Sequence, residues 1–281
     1  MRSILLLAAT LLLSACGGDG DGALSQAIAE QHADYRIVDL ETGSSTYRST
    51  IDDLEVNPSY RDRLVVLRHL PQRSATIGAT DGEPFADDDE HGTHPVSVAE
   101  CYMAVFELTR AQWQRLNPGS APWTVLGITD GDGRHPATGM SQVEAETALA
   151  TWSDHHPAHL ALPSATDWEA AARCAGGAFG FDPTQPSATS RHARVRESLT
   201  TESGSSSGTA PVGQRAANGW GLYDLHGNAA ELTSTLDADA QALVHGGSWS
   251  DPVAATRATN TVGIPPQAGH PLVGLRVMLL P

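Results

Sequence analysis

Toward the C-terminus of the chain, His226, Glu231, His245 and Asp251 fall close together in sequence and are of the types that move protons. A histidine ring titrates near neutrality and can serve as acid, base or metal ligand. His226 sits in Asn218-Gly-Trp-Gly-Leu-Tyr-Asp-Leu-His-Gly-Asn228, and His245 opens His245-Gly-Gly-Ser-Trp-Ser-Asp251. His245, Asp251 and His226 are therefore the catalytic candidates, against the commoner role of a histidine satisfied inside a core. Trp249 offers a large apolar face, with Ser248, Asp251 and Arg276 as polar groups, so these four make a candidate binding groove. Arg276 either grips a carboxylate with its guanidinium fork or satisfies buried carbonyls.

Cysteine is the other reactive type, and the chain has three. Cys16 closes Leu13-Ser14-Ala15-Cys16 after the apolar run Ile4 to Leu13, which is too short to span a bilayer and matches a secretory signal. The motif looks like a bacterial lipobox, in which the cysteine is acylated. Residues 17 to 22 are only Gly and Asp, as a flexible tether would be. Gly17, rather than Asp, after the cysteine favours the outer membrane. Cys101 and Cys174 lack the spacing of a redox or zinc motif. In an oxidising envelope they pair as a disulfide, or they remain two buried thiols; both readings stand.

His155, His156 and His159 cluster, but Pro157 interrupts any helix that would align them, so a surface helix end is expected rather than zinc. Asp87-Asp88-Asp89-Glu90 lacks the alternate spacing of a calcium loop and reads as a solvated acidic turn. A formal charge of −16 gives no attraction for phosphate backbones, which excludes nucleic acid as a partner.

The elements that must position these groups are legible in part. Leu64 to Leu67 reads as a strand, as does Val96 to Phe106. Thr109 caps a short helix carrying Trp113 and Leu116. Ser141-x-x-Glu144 opens a helix running to about His155, and Ser164 with Asp167 opens another that Gly176-Gly177 stops. Residues 17–60 carry one modest helical stretch, Leu24 to His32, and otherwise read as tether and weakly structured extension. Short strands, capped helices and abundant Gly and Pro suit an α+β domain rich in irregular loops.

Six landmarks occur in order: Glu107-Leu-Thr109, Leu162-Pro-Ser-Ala-Thr-Asp-Trp-Glu-Ala-Ala-Ala-Arg173, Ala210-Pro-Val-Gly213, Asn218 to Asn228, Gly246-Gly-Ser-Trp249 and Gly274-Leu-Arg276. Together, from about residue 64 to 281, they resemble the formylglycine-generating enzyme family, also called sulfatase-modifying factors. The resemblance implies a single mixed domain related to the C-type lectin fold. The chain then divides into a lipoprotein signal peptide at 1–15, an anchor, tether and extension at 16–60, and the family-like domain at 61–281.

That family oxidises a substrate cysteine to formylglycine with copper held by two cysteines, whose positions fall here on Asp251 and Thr256. Copper(I) prefers thiolates, and no cysteine follows Cys174, so neither copper nor formylglycine generation is expected. The family's Gly-Asn-Val-Trp-Glu-Trp becomes Gly227-Asn-Ala-Ala-Glu-Leu232, and the lost indoles imply a reshaped floor. The family also holds structural calcium at this turn. Asn228, Ala230 and Glu231 remain as oxygen ligands for one such ion, unless Asn228 serves only as a turn residue.

The resulting expectation is a lipid-anchored protein of the bacterial cell envelope. Its partners are the membrane, through the anchor, and an unknown protein or small-molecule ligand. The alternative is a periplasmic enzyme of the same family with non-copper chemistry, either small-molecule oxidation or protein modification. A third group sharing this fold, variable lipoproteins diversified by retroelements, crowds its variable segment with Asn, Tyr and Ser. Residues 250 to 273 hold a single Asn, Asn260, and no Tyr, which argues against that reading.

Overall fold

The structure is a computed structural model that describes residues 33–279 apart from 88, 89, 91, 175, 176 and 202–207. The expected lipobox with Cys16, the expected tether and the helical stretch expected at Leu24 to His32 lie outside the described residues.

Strands β1 (Tyr35–Asp39), β2 (Ser45–Arg48), β3 (Leu64–Leu70), β4 (Arg73–Ile77), β5 (His94–Val98) and β6 (Cys101–Ala104) come first. Helices α1 (Arg110–Leu116), α2 (Pro122–Val125) and α3 (Gln142–Asp154) follow, then β7 (Leu160–Ala161) and α4 (Ala165–Arg173). Short helices α5 (Pro186–His192) and α6 (Arg196–Thr201) precede β8 (Ala230–Leu236), β9 (Ala242–His245), β10 (Val262–Ile264), β11 (Val273–Leu275) and β12 (Met278–Leu279). The strands make a six-stranded sheet in the order β2-β1-β3-β6-β12-β7, a four-stranded sheet in the order β10-β9-β8-β11, and the hairpin β4-β5. All neighbours are antiparallel except β11 with β8. The result is a single mixed α+β domain with much irregular backbone.

β3 explains the larger sheet. Its run Leu-Val-Val-Leu is flanked on both sides, by β1 and by β6, and Val65, Val66 and Leu67 are all buried. A continuous apolar run is what a strand enclosed on both faces needs. The stretch expected to be a weakly structured extension up to residue 60 carries β1 and β2, so the folded unit begins before residue 61. Only Ile37 and Val38 of β1 are buried, and only because they register against Val66 and Val65. Such a two-residue signal is not visible until the partner strand is known.

The helix starts are where the side chains place them. Thr109 accepts from Gln112 N while the Gln112 side chain accepts from Thr109 N, a complete capping box. Ser141 and Ser164 accept from the backbone of Glu144 and Asp167. α4 ends on Cys174, at φ 51°, ahead of the glycine pair. His156 stacks on Trp152 at the end of α3, 4.3 Å between ring centroids. The acidic turn is not simply solvated: Asp87 and Glu90 both pair with Arg257. The main core joins Leu67, Trp113, Leu149, Trp152, Leu232 and Leu275 between the two large sheets and α3; a second cluster surrounds Trp168 on α4. No described helix is long and apolar enough to cross a membrane.

Candidate functional site

The family-like loops converge on a buried ionic framework. Arg276 follows β11, whose parallel pairing with β8 sets Gly274 opposite Glu231. Its Nε and Nη2 donate to Glu231 Oε2 and Oε1 at 3.0 and 2.7 Å. The remaining N–H groups reach the carbonyls of Ala104, Val105 and Tyr223, so all five donors are used. Glu231 Oε2 also accepts from Trp168 Nε1 at 2.6 Å. Arg276 is 0 % exposed. It clamps internal carbonyls and an internal carboxylate, and so leaves the expected binding groove.

Asn228 is fixed just as tightly. Gly227, at φ 91°, lies so close to Arg194 O that a Cβ there would sit 2.1 Å from it. That approach lets Asn228 N donate to the same carbonyl. Asn228 itself is left-handed (φ 63°), with Oδ1 accepting from Ala210 N and Nδ2 donating to Glu107 Oε2. Glu107 Oε1 accepts from Ala229 N. Burial, reinforced by the Asp224 and Glu231 carboxylates, pushes the Glu107 pKa well up. Burial also pushes Asp224 up to about 6.

The residues do not fit calcium. Glu231 faces a guanidinium, the Asn228 oxygen already holds a backbone N–H, and Ala230 lies within β8 opposite Val273. A cation beside Arg276 would meet like charge.

Both candidate histidines are enclosed. His226 Nδ1 lies 2.8 Å from Thr256 O, and Phe179 and Phe181 pack against the ring. His245 stacks on Trp168 at 4.8 Å, with Nδ1 3.2 Å from Ala258 O and a buried Nε2 that has no partner among the described residues. Burial lowers both to about 4, so both rings are neutral at ordinary pH. His245 lines none of the cavities beside this framework, whereas His226 lines one of them. Ser248 is likewise buried, its Oγ donating to Asp251 Oδ2 at 2.6 Å. Thr256 donates to Val253 O.

Open space lies beside this framework. A cleft of about 470 Å³ is walled by Trp249, Leu272, Pro271 and Ile128, with Arg110, Asp130 and Thr138 as polar lining. A neighbouring cavity of about 180 Å³ holds Asp251, Asn260 and His270 against Val244 and Ile264, and Leu272 borders both. Trp249 and Asp251 thus serve adjacent hollows, while Ser248 and Arg276 line neither. Arg110, Thr138 and His270 stand outside every landmark, and no motif in the chain marks them.

A third cavity, of about 320 Å³, is lined by Cys174, Phe179, Phe181, His192 and His226. Cys101 and Cys174 are free thiols, which corrects the disulfide reading. Cys101 is enclosed in β6, where burial raises its pKa to about 11. The Cys174 sulfur instead packs against Gly219.

A family model for the sulfatase-modifying factor enzyme 1-like domain matches residues 69–279. No curated protein matches the chain. Among solved structures, PvdO from Pseudomonas aeruginosa is similar with a TM-score of 0.64 and 21 % identity, over 76 % of this chain and 94 % of that one. Treponema denticola variable protein 1 gives 0.65 and 18 %, over 78 % and 96 %. CarF gives 0.55 and 19 %, over 76 % and 98 %. At these identities the likeness is one of fold.

Proposed function

The chain belongs to the sulfatase-modifying factor enzyme 1-like family, and from that premise we propose that it is a ligand-binding module rather than a copper oxidase. The observation that carries this is a contrast among the family-like loops: the His226 and His245 rings are buried and neutral, while Trp249 walls an open cleft. An indole beside a few fixed polar groups is the usual make-up of a small-molecule site. The two positions that the family likeness assigns to copper thiolates carry Asp251 and Thr256, both occupied with hydrogen bonds inside their own loop. Oxygen side chains of that kind do not replace a two-thiolate copper(I) site.

The Leu-Ser-Ala-Cys16 motif supports an envelope location with the domain tethered through lipid on Cys16, the outer membrane being favoured.

Two arms of one experiment test the reading. The full chain, supplied with copper(I) and a peptide bearing a sulfatase-type cysteine motif, should yield no aldehyde by mass spectrometry above an enzyme-free control; aldehyde above that control would overturn it. In cells, Cys16→Ser should move the protein from the membrane fraction to the soluble periplasm, and a wild type already soluble without detergent would remove the anchor.

A further inference from the structure

Arg110 is the first residue of α1 and is only 5 % exposed, yet it borders the Trp249 cleft. Its guanidinium carbon lies 5.4 Å from the centroid of the Trp123 ring. Nη1 donates to Asp130 O at 2.6 Å, and Nε is enclosed with no partner. Arg110 forms no ion pair among the described residues. The contrast with other buried arginines is sharp. Arg173 holds Glu83 and Glu169, Arg257 holds Asp87 and Glu90, and Arg276 holds Glu231. Arg61 also lacks a carboxylate, but it donates to Leu54 O and Val212 O, covers Phe106, and borders none of the three cavities.

A buried charge without a counter-ion is costly unless something supplies one. Burial disfavours the Arg110 charge, and Asp130 and Asp132 offset this only at longer range. The guanidinium keeps its charge at any physiological pH and presents a planar fork suited to two carboxylate oxygens. We propose that the Trp249 cleft takes a ligand bearing a single carboxylate, which Arg110 binds while the apolar body of the ligand lies against Trp249 and Leu272. Asp130 lines the same cleft, so a dianion such as a phosphate monoester meets stronger repulsion there than a monoanion does. This assignment rests on the binding reading above and names the chemistry of its ligand.

Calorimetric titration of the full chain with benzoate, benzamide and phenyl phosphate tests it, since the three share a ring and differ in charge. Benzoate should bind at least about tenfold more tightly than benzamide, the scale of one charge-assisted hydrogen bond. Phenyl phosphate should bind no better than benzamide. Arg110→Gln should bring the benzoate-to-benzamide ratio to about one, Arg110→Lys should keep part of it, and Trp249→Ala should weaken both ligands alike.

Equal affinities in the wild type, a ratio that survives Arg110→Gln, or phenyl phosphate binding best would each overturn the carboxylate assignment while leaving the cleft intact. If neither benzoate nor benzamide binds, or both bind Trp249→Ala undiminished, the cleft itself is wrong and the assignment falls with it. The wild-type ratio and the lysine variant decide the matter even if Arg110→Gln does not fold.

Discussion

Two buried arginines, Arg276 and Arg110, sit in one domain and are treated in opposite ways. Arg276 commits all five N–H groups to Glu231 and three backbone carbonyls. Arg110 has the Asp130 carbonyl as its acceptor and open space beside it. A fully satisfied network specifies a unique packing, whereas an unsatisfied buried charge beside a cavity is a demand for a ligand. The residues that look most like an active loop hold the fold, and a residue outside every landmark faces the ligand.

Breaking the larger side of that contrast should have the largest effect. Arg276→Ala leaves Glu231 buried and unpaired and should cost roughly 3–5 kcal/mol in urea unfolding. Arg110→Ala removes a charge that has no carboxylate partner and should cost less, about 1 kcal/mol. Similar losses for the two variants would dissolve the distinction.

Next in size is the acid response. His226 and His245 are each held near 4 in the folded protein against 6.5 when exposed. The unfolded chain therefore takes up protons first as pH falls. Stability is full above about 6.5 and declines toward 4, by up to roughly 3 kcal/mol for each ring. Asp224, raised to about 6, and Glu107, raised well above the ordinary carboxylate range, work the other way, each gaining as pH falls toward its unfolded value, and together they offset part of the loss. His245→Phe should flatten the decline measured by melting between pH 7 and 4. An unchanged acid limb would mean the ring is not held neutral.

The smallest expected effect sharpens the comparison by its size. Because Asn228 and Glu231 are taken up by the framework, melting temperatures in calcium and in chelator should coincide. A bound ion at about 100 times its dissociation constant would add roughly 2.7 kcal/mol, so a shift of several degrees would restore calcium to this turn.

The pattern of what was legible follows from range. Thr109, Ser141 and Ser164 announce their helices because each cap acts within three residues. β1 was hidden because its burial depends on β3, a partner beyond an intervening loop, and β2 buries no residue and pairs with β1. In the same way, His226 and His245 have the right chemistry for catalysis, and only the packing of Phe179, Phe181 and Trp168 reveals that their rings are buried. Trp249 and Asp251 border open space, because the Gly-Gly-Ser turn carries the chain out of β9 and into the loop beside the cavities. Arg110 could not be found this way. Its importance lies in the absence of a carboxylate partner, which no spacing in a sequence records.

The placement of β12 has a consequence for how the protein is made. Met278 and Leu279 lie between β6 and β7, inside the six-stranded sheet, yet they follow every other strand among the described residues. Until that segment emerges, β6 and β7 each present an unpaired edge, which is a template for association with another chain. Closure of the sheet must therefore wait until the strands that precede β12 have been made, and the growing chain needs shielding during translation.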